Sequence, residues 1–175
     1  MPASPQIRTE RLILRALEPA DAPRLVELMR DKSIAWNTAT IPYPFRREDA
    51  DAFLARRAGR TRTAPTFAIA LDGELVGVIG LVRTATFGED VWGVGYWIGA
   101  DYRGAGLMTE ALIAVAAFAR DELGAAAIVA GHPASAAVLK KAGFAPTGEK
   151  TMTKSVGRGC EVETMNYRIE FKRPL

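Results

Sequence analysis

The chain has 175 residues, 49% of them apolar and 25% charged, the proportions of one soluble globular domain long enough to bury a core. A net charge of +3 without any dense Lys/Arg run suits a small anionic ligand and excludes a nucleic-acid signature. One cysteine, Cys160, and one histidine, His132, exclude an internal disulfide and a metal site built from Cys or His, so no metal is expected and Cys160 reads as a plain strand residue.

In chain order, Arg11–Leu17 reads as a strand. Ala22, Leu25, Leu28 and Met29 recur at helical spacing after the helix start Glu18-Pro19-Ala20-Asp21. Ile34–Phe45, with Trp36, Asn37, Tyr43 and Phe45, reads as an ordered loop, and Arg47–Ala58 as a second short helix. Thr66–Leu71 and Leu75–Val82 flank the hairpin signal Asp72-Gly73-Glu74. Val91–Ile98 is an apolar strand after the break at Phe87–Asp90. Leu107, Ala111, Ala114, Val115 and Phe118 form a helix face. Within it the longest small apolar run, Ala111–Ala119, is far too short to cross a bilayer. Ala126–Ala130 is a short buried strand, and Pro133–Ala142 a helix ended by Gly143. Phe144–Thr153 and Glu161–Glu170 are strands around the turn Ser155–Gly159. Met1–Thr9 lacks an apolar signal core. The expectation is a single α/β domain over residues 1–175, cytoplasmic, with no membrane partner. Its mixed sheet starts antiparallel and then crosses over through helices.

The segment Asp101-Tyr-Arg-Gly-Ala-Gly-Leu-Met-Thr-Glu-Ala-Leu112 is the most informative. A strand, a glycine turn and a helix start set several free backbone N–H groups around one point, where the helix dipole favours phosphate. A P-loop is absent. Gly104-x-Gly106 lacks the third glycine of a dinucleotide fingerprint, and no strand acid follows at the expected distance. Alone, the run reads equally as a phosphate cradle or as an ordinary tight turn.

Other segments break the tie. Thr9-Glu10-Arg11-Leu12-Ile13-Leu14-Arg15, Gly95-Tyr96-Trp97, the loop Gly104 to Ala111, and Ser135 followed by Val138, Leu139, Lys141, Gly143 and Phe144 stand in the order of the RimJ/RimL-type branch of GNAT acyl-CoA N-acyltransferases. The chain resembles that branch over nearly its whole length, and the branch's best-known members acetylate protein N-termini. The resemblance implies a mostly antiparallel mixed sheet of about seven strands, splayed between the fourth and fifth and flanked by about four helices. It also implies acetyl-CoA as co-substrate, an amine acceptor as the other partner, and a monomer or homodimer.

On that resemblance, the pantetheine arm hydrogen-bonds backbone near Tyr96 and Ile98 as an added strand would. The pyrophosphate sits on the amides of Arg103, Gly104, Ala105, Gly106, Leu107, Met108 and Thr109, with side-chain contacts from Arg103 and Thr109. The acceptor enters beside Trp36, Asn37, Tyr43 and Phe45, residues that read otherwise as local packing. Transfer is direct, from a neutral amine to the thioester carbonyl. A backbone N–H near Ile98 serves the carbonyl, and Ser135 takes the branch position that protonates the leaving thiolate, helix capping being its other reading.

The sequence departs from the branch pattern at several points. His132 replaces the usual Asn, which puts in view a CoA contact, a structural role or a neutral general base. Gly93 replaces a strand Glu, leaving the base open between weak substitutes Glu89, Glu161 and Glu163. Met108 replaces a small loop residue and narrows the space nearby. Leu139 stands where other branches carry an acidic Tyr. These departures keep an alternative in view, an acyl-CoA-binding regulatory module with weak or lost catalysis.

Overall fold

Runs rich in Val, Ile, Leu and Phe pair into one eight-stranded sheet in a computed structural model that describes residues 5–58, 63–83, 86, 88–131 and 135–172. The strands are β1 (Ile7–Arg8), β2 (Leu12–Ala16), β3 (Thr66–Leu71), β4 (Glu74–Arg83), β5 (Val91–Ile98), β6 (Ala127–Gly131), β7 (Ala145–Ser155) and β8 (Cys160–Glu170), in spatial order β1-β2-β3-β4-β5-β6-β8-β7. The helices are α1 (Ala22–Leu28), α2 (Lys32–Trp36), α3 (Arg47–Arg57), α4 (Leu107–Leu123) and α5 (Ala136–Lys141). Among the described residues no helix is long and apolar enough to cross a membrane.

Period-2 alternation sends side chains to two faces. Leu12, Leu14, Phe67, Ile69, Ile79, Tyr96 and Ile128 pack with α4 and α5 in the larger core. Phe67 meets Phe118 of α4 edge-to-face, ring centroids 5.5 Å apart. Ala68, Val78 and Trp97 point the other way, onto Ala22, Leu25, Ile34, Ala50 and Leu54 of α1–α3. Tyr96 and Trp97, neighbours in sequence, therefore anchor opposite layers.

Antiparallel pairing runs from β1 to β5. β5 and β6 are parallel, which requires a crossover, and α4 supplies it. Their pairing is short: Val91↔Ala127, Trp92↔Ile128 and Gly93↔Val129. Beyond Gly93 the strands part, and β5 continues to Ile98 along β4 alone.

The mixed α/β fold and the splay match the expected architecture, with small corrections. The sheet has eight strands because Ile7–Arg8 pairs with Leu14 and Ile13; two residues are too few to show a period. That addition moves the splay to the fifth and sixth strands. A fifth helix, α2, occupies part of the expected Ile34–Phe45 loop. Asp31 caps it by accepting from the Ser33 N–H at 2.9 Å, and a helix of five residues is too short for a helical pattern to show. The described part of the helix expected over Pro133–Ala142 begins at Ala136.

Candidate active site

Where β5 and β6 separate, a cleft of about 370 Å³ opens. Its walls come from the end of β5, the loop into α4, the start of α5 and one side of α2. At one end lies the glycine loop. Gly104 (φ +79°) and Gly106 (φ +77°) take the left-handed region that a Cβ disfavours. Gly106 caps α4 without any side-chain bond, and the first bond of the helix runs from the Glu110 N–H to the Gly106 carbonyl. The N–H groups of Leu107, Met108 and Thr109 therefore precede the helical ladder and point out of its positive end.

A motif from the far end of the chain holds this loop. Glu110 accepts from the Thr9 hydroxyl at 2.6 Å, the Arg11 N–H at 2.8 Å and Arg11 Nε at 2.7 Å. Arg11 Nη1 also donates to the Ala105 carbonyl at 2.8 Å. Burial pushes the Glu110 carboxyl up, but the Thr9 hydroxyl and the Arg11 amide and guanidinium outweigh it and hold it below its ordinary value.

Arg103 lines the cleft, but its guanidinium turns along the wall. Nη2 pairs with Asp31 at 3.0 Å, Nη1 donates to the Ser33 hydroxyl at 2.9 Å, and Nε donates to the Ile98 carbonyl at 3.3 Å. It ties the glycine loop to the N-terminus of α2. Met108 lines the cleft while its side chain, only 6% exposed, packs into the larger core. Ala105 is exposed and is held by its carbonyl.

At the other end, Tyr96 and Ser135 meet. Both are buried, 7% and 5% exposed, and both line the cleft. Ser135 occupies the N-cap position of α5, yet its hydroxyl makes no capping bond; it interacts with the Tyr96 phenol instead. Burial pushes the Tyr96 phenol up to about 12, against the opposing effect of the Ser135 hydroxyl, so it stays protonated at working pH. His132 lies outside the described residues.

The expected acceptor residues are divided. Asn37 lines the cleft with Ser33, Ile34 and Thr38. Trp36 and Tyr43 flank Lys32, whose Nζ lies 3.9 Å and 5.8 Å from their ring centroids. Phe45 packs against the core of α1–α3. Glu89, Glu161 and Glu163 are exposed, and Glu163 pairs with Lys150 at 2.8 Å. Leu139 is fully buried. The sequence reading missed Ser33, Thr38 and Tyr102 as lining residues. The available signal for Ser33 was Asp31-x-Ser33, a helix start.

The helix start offers amides to phosphate, the free edge of β5 offers backbone to an amide-bearing arm, and the Tyr96–Ser135 pair closes the path. This arrangement fits a coenzyme A thioester laid along the cleft and defines an acyl-CoA-dependent N-acetyltransferase. Residues 11–145 match the acetyltransferase (GNAT) domain, and the chain belongs to that family.

Solved structures agree in fold. RimL, a ribosomal L7/L12 alpha-N-protein acetyltransferase in complex with coenzyme A, superposes with a TM-score of 0.82 at 19% identity, over 95% of this chain and 98% of its own. Mycobacterium smegmatis RimJ in complex with CoA-disulfide gives 0.79 at 18%, over 95% and 88%. The microcin C7 self-immunity acetyltransferase MccE, in complex with acetyl-CoA and AMP, gives 0.80 at 17%, over 93% and 94%. No curated protein sequence matches the chain.

Proposed function

We propose that this acetyltransferase moves the acetyl group of acetyl-CoA onto a free α-amine at the start of a peptide or protein. The observation that carries the reading is the buried Ser135–Tyr96 pair across the cleft from the open helix start. Acetyl-CoA lies with its pyrophosphate on the amides from Gly104 to Thr109 and its thioester toward Ser135. The neutral amine attacks the carbonyl carbon; the C–N bond forms and the C–S bond breaks. Ser135 passes its hydroxyl proton to the departing sulfur and regains one from the nitrogen, so the proton count closes. Tyr96 orients the Ser135 hydroxyl. A thiol pKa near about 8.5 asks for no stronger acid.

The described cleft lining presents hydroxyls, amides and cations rather than carboxylates, which favours an acceptor that arrives neutral. At neutral pH an α-amine has about a few hundredfold more neutral form than a lysine side chain. RimL, an alpha-N-protein acetyltransferase by name, belongs to the same acceptor class.

The test mixes protein and acetyl-CoA with peptides of every first residue, with the same peptides Nα-blocked but carrying lysine, and with small primary amines, and follows thiol release. Turnover confined to free α-amines is expected. Equal turnover of the blocked lysine peptides contradicts the α-amine reading. Failure of acetyl-CoA to shift the melting temperature contradicts the cofactor site as well.

A further inference from the structure

On the face of the sheet opposite α4, the β7–β8 ribbon brings a polar cluster to the edge of the splay. Asn166 and Thr164 are 7% and 3% exposed. Their neighbour Tyr167 points into the larger core, so strand alternation turns both toward the α1–α3 side.

The hydroxyl protons of the cluster are directed. Thr164 donates to the Thr151 carbonyl at 3.2 Å, Thr153 lies 3.4 Å from the Thr164 hydroxyl, and Thr151 donates to Asn166 Oδ1 at 3.1 Å. Asn166 Nδ2 is left as a buried donor with no partner among the described residues. A buried amide N–H without an acceptor is costly and rare, and it marks a place where an acceptor atom from elsewhere restores the bond.

The amide stands at the edge where the sheet opens. Asn166 pairs with Gly131, the exposed last residue of β6, past the final β5–β6 pair. A Cβ at Gly131 would sit 3.3 Å from both Asn166 Oδ1 and Thr164 Oγ1, and a Cβ at exposed Gly95 on β5 would meet nothing within 4 Å. Alternation places Gly95 on the same face as Trp97, over the α1–α3 layer. Gly131 is thus packed tightly against Asn166 and Thr164, while Gly95 leaves open space on β5, across the parted strands from the unpartnered amide.

We infer that Asn166 is an acceptor-positioning residue whose side-chain amide donates to the carbonyl oxygen next to the acceptor's amine, the first peptide carbonyl of a peptide substrate. The bond fixes the amine in the splay and selects amines that carry a neighbouring carbonyl over plain alkylamines. The inference rests on the α-amine reading above.

The experiment measures kcat/KM for the best free-N-terminal peptide and for 2-phenylethylamine, with acetyl-CoA affinity by calorimetry, in the wild type, Asn166→Leu and Gly95→Val. Asn166→Leu is expected to lower the peptide-to-amine ratio of kcat/KM about tenfold while acetyl-CoA still binds. Gly95→Val fills open space, so it is expected to keep the melting temperature and acetyl-CoA binding and to lose peptide turnover. An unchanged ratio in Asn166→Leu with active wild type overturns this inference alone, as does full peptide turnover in a folded Gly95→Val. Wild type that binds acetyl-CoA but acetylates no peptide overturns the α-amine reading, and this inference falls with it.

Discussion

Ser135 shows how two readings of one residue are separated. From sequence it served equally as a helix cap or as a proton donor to sulfur. In the fold it holds the cap position but leaves the capping bond unmade and meets the Tyr96 phenol, 7% exposed, inside the cleft. Ser135→Ala is therefore expected to lower kcat by on the order of a hundredfold, with acetyl-CoA affinity and melting temperature retained. Steady-state kinetics beside calorimetry checks it, and an intact kcat removes Ser135 from the chemistry. Met108 resolves differently. Its unusual size in the loop is absorbed by the core, and what the loop presents is its backbone.

The β7–β8 ribbon docks against the short helix α2 and the residues just after it. The Val156 N–H donates to the Ala39 carbonyl at 2.9 Å, and Arg158 Nε donates to the Trp36 carbonyl at 2.6 Å. Gly157 is set so close that a Cβ would lie 2.6 Å from the Ala35 carbonyl oxygen. Backbone cannot yield as a flexible side chain can, so Gly157→Ala pushes the ribbon tip off α2. The expected cost is about 1–3 kcal/mol, read as a lower urea midpoint with acetyl-CoA affinity kept; an unchanged midpoint contradicts the docking. None of this was visible in the sequence, where Ser155–Gly159 reads only as a turn. A turn's contacts across more than a hundred residues leave no local pattern. By contrast β3, β4, β5 and α4 each carry their own period and their own glycine or turn signals, and their bounds were legible to within a few residues.

Across the whole molecule, the Thr9–Arg11 segment closes onto the start of α4 through Glu110, joining the first strands to the crossover. Glu110 is held below its ordinary value of 4.5, and Asp31, despite burial that raises it, is held below 3.8 by Ser33 and Arg103. A lowered carboxyl pKa gives stability that is full above the ordinary value and is lost as pH falls through the folded value. The melting temperature is thus expected to hold through neutral pH and to fall steeply below the ordinary carboxyl range, more steeply than in Glu110→Gln. Parallel acid profiles for the two proteins contradict the role of Glu110.

The sequence by itself determined the periodic elements, the glycine turn at a helix start, and the family, because each is written in spacing and residue type. Only the tertiary structure decided that the strands part after Gly93, that Ser135 faces Tyr96, that Arg103 spans to Asp31, and that Asn166 stands beside the splay. Those relations join residues far apart in the chain, and packing two layers onto opposite faces of one sheet is what brings them together.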